Sequence, residues 1–126
     1  MRSASLMAKL VIGDPEVLGA HTVLRMATID AARVLGMESE IGSLEPGKLA
    51  DVIVVDLRKP HLVPVYDPVS HLVYAARGSD VRDVIVNGAV VVDRGRLTTI
   101  NVQEIIGRAI AASGEIARTS EEVIPK

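Results

Sequence analysis

Three histidines, His21, His61 and His71, are the only imidazoles in the chain, so metal or general-base chemistry would have to start from them. A hydrolytic metal site needs about three protein ligands converging around an open position. No two of these histidines form H-x-H or H-E-x-x-H. Asp67 and His71 stand at i, i+4, which on a helix would place both on one face and allow a shared metal. Asp67 precedes Pro68, however, and that pair reads as the N-cap and first residue of a helix. A hydrogen-bonded structural role is the simpler account of each histidine. Asp67, Ser70 and His71 also supply the side-chain types of a nucleophile triad. Adjacent helical residues point about 100° apart, so Ser70 cannot hydrogen-bond His71 side by side. Asp51 and Asp56 bracket an apolar run and, five apart, point to opposite faces of a strand, which argues against a general acid–base pair. Asp51 is better placed to fix the preceding turn with Lys48. Gly42, Gly47, Gly88 and Gly95 are isolated turn glycines, outside any phosphate-cradling glycine pattern. The residues themselves therefore nominate no catalytic, cofactor-binding or metal-ligating position.

The elements that would position these side chains are legible in the pattern. The chain has 126 residues, enough for one small domain. It is 48% hydrophobic with a mean hydropathy of +0.33, and it holds two tyrosines and no phenylalanine or tryptophan, so its core must be aliphatic. Net charge is −2 with both signs scattered, and no basic stripe points to nucleic acid. Cysteine is absent, which excludes disulfides and thiolate metal sites. No run of about 18 apolar residues is present to span a membrane, and the first residues do not read as a signal peptide. A cytoplasmic protein is the expectation.

Met1 to Val11 predicts a helix with Leu6, Leu10, Met7 and Val11 on a shared face, ended by Gly13-Asp14-Pro15. His21 to Met37 predicts a second helical region, favoured as two short helices with Thr28 capping the second and Gly36 stopping it. Glu45-Pro46-Gly47-Lys48 is a type II turn. Val52-Ile53-Val54-Val55 follows as a β-branched run of the kind buried on both faces. Prolines 60, 64 and 68 predict an extended surface loop and then a helix over 68–76. Val84–Val86 and Val90–Val92 flank Asn87-Gly88, a type I′ hairpin signal. Asp93 to Arg96 is a further turn, leading to a short strand at 97–99. Asn101 caps a last helix over about 102–118, with Glu121 to Lys126 a frayed tail.

Four strings carry a family likeness. Ile41 to Asp56, IGSLEPGKLADVIVVD, resembles the segment after the barrel in the amidohydrolase superfamily of metal-dependent hydrolases. L-R-M-A-T-x-x-A-A-R-x-L-G, just before it, matches too. Asp67 to Tyr74, DPVSHLVY, resembles the branch that holds the methylthioadenosine/adenosylhomocysteine deaminases and the triazine hydrolases. V-x-x-V-I-V-N-G-x-V-V-V matches the family as well.

The resemblance implies a mixed α/β fold. It would be a C-terminal fragment of a (β/α)8-barrel hydrolase: the last barrel helices over 1–40, a small, mainly antiparallel β-sheet over 41–100 with an inserted helix 68–76, and a helix and tail over 101–126. The sheet would be half of a composite β-sandwich. The implied function is a share of a hydrolase of non-peptide C–N bonds, an aminohydrolase, deaminase or chlorohydrolase, inactive alone. In that family a divalent metal, zinc or iron, is held by histidines and an aspartate on barrel strands upstream of anything matched here, so no site residue carries over. The alternative is a non-catalytic sheet module. The implied partners are a second copy of the chain or a missing N-terminal barrel chain, with neither nucleic acid nor membrane.

Overall fold

Three helices precede Gly42 and all four strands follow it, as the change from helical to β-branched periodicity there predicts; two further helices lie among and after the strands. The computed structural model describes residues 1–123. Helix α1 (Arg2–Ile12) stops at Gly13, whose φ of 74° lets its N–H reach the Lys9 carbonyl. Helix α2 (Ala20–Ala27) and helix α3 (Ile29–Val34) are separate, with the break at Thr28. The Thr28 hydroxyl does not cap α3. It donates backwards to the Leu24 carbonyl at 2.8 Å, the i−4 bond available to a threonine at a helix end. Gly36, φ 69°, ends α3 as expected.

Strand β1 (Val52–Val55) pairs antiparallel with β2 (Val81–Val86), β2 with β3 (Ala89–Asp93), and β3 with β4 (Arg96–Leu97), in the spatial order β1-β2-β3-β4. Asn87 and Gly88 take φ of 48° and 78°, the two positive values of a type I′ turn. Arg94 and Gly95 repeat this at 47° and 77°. Strand β4 is shorter than expected and begins at Arg96. β1 is not buried on both faces. It is an edge strand, and Ile53 is 58% exposed because nothing among the described residues lies over it.

The expected helix over 68–76 starts as an α-turn, Pro68–Ser70, and continues as a π-helical turn, His71–Ala75; together these are α4. Helix α5 runs Val102–Val123, longer than expected and started by Asn101, whose side chain accepts the Glu104 N–H at 3.3 Å. Of the tail expected from Glu121, residues 121–123 continue this helix, and 124–126 lie outside the described residues.

The core is small. α2 packs on α1, α3 and α4, and among the described residues the buried apolar side chains are Val23, Ala32, Leu62 and Val73. Leu62 is a correction to the expected surface loop: its backbone runs among the prolines, but its side chain is 1% exposed. The predicted apolar face of α1 is a second correction. Leu10 is 75% exposed, and the residue α1 buries completely is Ser5. Periodicity marks which residues share a face; it does not supply the surface that covers them.

Candidate functional site

Each candidate side chain is held by a local backbone device. Asp67 is extended at the N-cap of α4, where its carboxylate accepts the N–H groups of Val69 (3.1 Å) and Ser70 (3.3 Å). It also accepts the Ser70 hydroxyl at 2.6 Å. That hydroxyl bond is the chief reason the Asp67 carboxyl sits below its ordinary range, helped by the two N–H groups and by the charge of His21. α2 packs on α4, so the fold brings His21 towards Asp67, a proximity the spacing did not suggest.

His71 Nδ1 lies 2.9 Å from the backbone carbonyl of Asp67, not from its carboxylate. The serine hydroxyl is therefore aimed at the aspartate and the imidazole at the backbone. Neither a triad nor an Asp67–His71 metal pair is assembled. Asp51 does not work with Lys48. Its Oδ1 accepts the Asn87 N–H at 2.7 Å, tying the hairpin tip to the residue before β1. Lys48 instead donates to Ser43 Oγ (2.6 Å) and the Glu38 carbonyl (2.5 Å), and lies 3.6 Å from Glu45. Asp56, at the far end of β1, accepts the Arg58 N–H at 3.0 Å.

The most enclosed carboxylate among the described residues is one the spacing did not single out. Asp80 is 3% exposed. Its Oδ2 accepts the Arg77 N–H at 2.8 Å and lies 2.9 Å from His61 Nε2. These two bonds, the His61 contact first, hold its carboxyl below the ordinary carboxylate value. The sequence signal was the spacing Arg77-x-x-Asp80 ahead of an apolar strand, a capping-box spacing with aspartate at the third position. Its imidazole partner, 19 residues upstream, has no local signal.

None of this suits a metal. His61 Nε2 is engaged by Asp80, His71 Nδ1 by a carbonyl, and Asp67 by its cap. Among the described residues no group of three histidine, aspartate or glutamate side chains converges to ligand distance. No helix there is long and apolar enough to cross a membrane.

A model of the amidohydrolase family matches residues 1–91. The chain is 56% identical over 104 residues to a 5-methylthioadenosine/S-adenosylhomocysteine deaminase of Moorella thermoacetica, covering 82% of this chain and 24% of that protein. It is 45% identical over 116 residues to a 5'-deoxyadenosine deaminase of Methanosarcina acetivorans, covering 92% and 26%. The chain thus spans about a quarter of the length of the curated relatives it matches. Among solved structures, an adenosine deaminase from Xanthomonas campestris with bound zinc superposes with a TM-score of 0.85 at 35% identity, over 93% of this chain and 27% of that one. An atrazine chlorohydrolase from Arthrobacter aurescens, complexed with zinc, gives 0.67 at 33% identity, over 75% and 20%.

Proposed function

The chain belongs to the amidohydrolase family, and from that membership we propose that it is the C-terminal portion of a hydrolase of non-peptide C–N bonds. The reading is a deaminase or other aminohydrolase, with a chlorohydrolase as its nearest variant, resident in the cytoplasm. The observation that carries it is the 56% identity to a deaminase across four-fifths of this chain. On this reading α1 to α3 are the last helices of a (β/α)8 barrel, and the four strands are half of a composite sandwich. The divalent metal, zinc or iron, would be held outside these residues, since the donors present do not converge. No step of the reaction runs through them.

The surface supports a partnered chain. A self-contained monomer of 13.4 kDa exposes about 6,500 Å², whereas this chain exposes 9595 Å². Leu10 and Val11 on α1, and Val34 on α3, are among the side chains left in solvent. A missing barrel would cover them. The free edge and exposed Ile53 of β1 also favour a second reading, a non-catalytic sheet module that pairs with another chain.

The test is complementation. The chain is purified alone, and also together with the Moorella deaminase shortened by the segment that matches it. Metal content and ammonia release from 5-methylthioadenosine are measured for both. Turnover by the mixture and none by either part supports the reading. About one equivalent of zinc held by the chain alone, and lost in His71→Ala, overturns it; a mixture that neither associates nor turns over favours the module.

A further inference from the structure

The tip of the β2–β3 hairpin carries a reactivity of its own. Asn87 stands directly before Gly88, and both are exposed. With glycine next in the chain, the backbone nitrogen meets the least steric hindrance on its way to the asparagine side-chain carbonyl. A Cβ built on Gly88 would meet no atom within 4 Å, so solvent reaches this peptide bond freely. The chain's other asparagine, Asn101, precedes the β-branched Val102, and its side-chain oxygen accepts the Glu104 N–H. It serves as an internal control. The folded turn opposes the reaction at Asn87 in three ways. Ring closure needs the Gly88 nitrogen eclipsed with the Asn87 Cβ. Asn87 is left-handed, φ 48°, and the ψ of that region, about +47°, sets the nitrogen nearly opposite Cβ instead. The Gly88 N–H donates to the Ala50 carbonyl at 3.1 Å, which holds the proton that the nitrogen must lose to become a nucleophile. The Asn87 N–H donates to Asp51 Oδ1 at 2.7 Å, so turning this residue breaks a charge-assisted bond. Ala50 and Asp51 both belong to the segment that leads into the edge strand β1.

We infer that Asn87-Gly88 is a self-deamidating site, held in check by the docking of Ala50 and Asp51 on the hairpin tip. When that segment lifts, the Gly88 nitrogen gives up its proton to solvent and attacks Asn87 Cγ. A C–N bond forms, the Cγ–Nδ2 bond breaks, and the leaving nitrogen takes a proton from water to depart as ammonia. Water then opens the cyclic imide at either carbonyl, giving aspartate or isoaspartate. The net change consumes one water and releases one ammonia, with no oxidant or reductant. Both products put a new carboxylate beside that of Asp51, and like charges there oppose redocking. Isoaspartate also inserts a methylene into the backbone of a turn whose two residues set the strand register. One opening that goes to product therefore unfastens β1 from the tip irreversibly.

Peptide mapping by mass spectrometry tests this. The full chain is held in mildly alkaline buffer, folded or unfolded in urea, and the amide-to-acid mass gain is followed with time at Asn87 and at Asn101. The expected result is modification at Asn87 and none at Asn101, with the unfolded chain more than about tenfold faster than the folded one. Asp51→Ala should raise the rate in the folded chain about fivefold, because it makes the opening more frequent. Tyr74→Phe loosens the helices instead and should leave the rate at Asn87 unchanged. The folded-to-unfolded ratio of the parent chain needs no variant, so the inference stays testable if Asp51→Ala does not fold. Equal rates in the folded and unfolded chain overturn it. So do an unfolded chain that is not modified at Asn87, a folded Asp51→Ala chain that reacts no faster than the parent, or a Tyr74→Phe chain accelerated as much as Asp51→Ala.

Discussion

Tyr74 and Ser5, 69 residues apart, place their hydroxyl oxygens 2.8 Å from one another. Ser5 is fully buried and spends its own proton on the Leu18 carbonyl at 2.7 Å, so the Tyr74 hydroxyl is the donor in the pair. One small side chain therefore joins α1, the turn before α2, and α4. Tyr74→Phe leaves Ser5 bonded to Leu18 and should cost about 1 kcal/mol. Ser5→Ala strands the Leu18 carbonyl and the tyrosine hydroxyl together, and should cost about 2–3 kcal/mol. Urea unfolding of the two variants checks the order; a larger loss in Tyr74→Phe would contradict the assigned direction of the bonds.

Gly42 has φ 93°, and a Cβ placed on it would lie 2.7 Å from Ala32 Cβ and 2.9 Å from Ile29 Cα. Gly42→Ala should destabilise by about 2–4 kcal/mol, combining backbone strain with overpacking. Adding Ala32→Gly should recover only part of that, because the Ile29 backbone and the positive φ remain. Denaturation midpoints of the single and double variants give the answer; full recovery would mean that the Ala32 methyl was the whole obstacle.

The hairpin tip is fastened at two points: Asn87 N–H to Asp51 Oδ1, and Gly88 N–H to the Ala50 carbonyl at 3.1 Å. Asp51→Ala removes the first and should cost about 1 kcal/mol, little because the site is exposed. Gly88→Val opposes the φ of 78° and should cost more, with loss of β2–β3 pairing. Amide hydrogen exchange separates the two: faster exchange confined to Asn87 in the first, and spread along β2 and β3 in the second.

Asp80 fixes a pH dependence. Its carboxyl titrates below the ordinary value because His61 and the Arg77 amide stabilise the charged form. A carboxyl whose folded pKa is depressed contributes stability above its unfolded pKa, about 3.9, and loses it as pH falls through the folded value. Asp80→Asn should therefore melt lower than the parent chain at neutral pH, and the gap should close in the acid range below about pH 4. Melting curves from pH 7 to pH 3 test it; a gap that widens on acidification would refute the assignment.

What could be read from the sequence was mostly local. Asp67-Pro68, Asn87-Gly88, Glu45-Pro46-Gly47-Lys48 and Asn101 each specify a backbone conformation within four residues, and each adopts it. The strands pair antiparallel, as expected, and two-residue turns set the pairing of β2 with β3 and of β3 with β4. Contacts across long separations left no trace in any window: Ser5 with Tyr74, His61 with Asp80, and Asp51 with Asn87. The burial of Leu62 and the exposure of β1 were misread for a shared reason. Apolar content says what wants covering, and only the assembled fold says what is covered.

The two consecutive type I′ turns also set an order of events. The β2–β3 and β3–β4 pairings each close a loop of two residues, and hairpins of this kind form in about 1–10 μs. β1 reaches β2 only after the excursion over residues 56–80 has been closed, with a larger entropy loss to overcome. The three-stranded meander is then the nucleus on which the edge strand docks. β1 should be the last strand to join during refolding and the first to open in the native state.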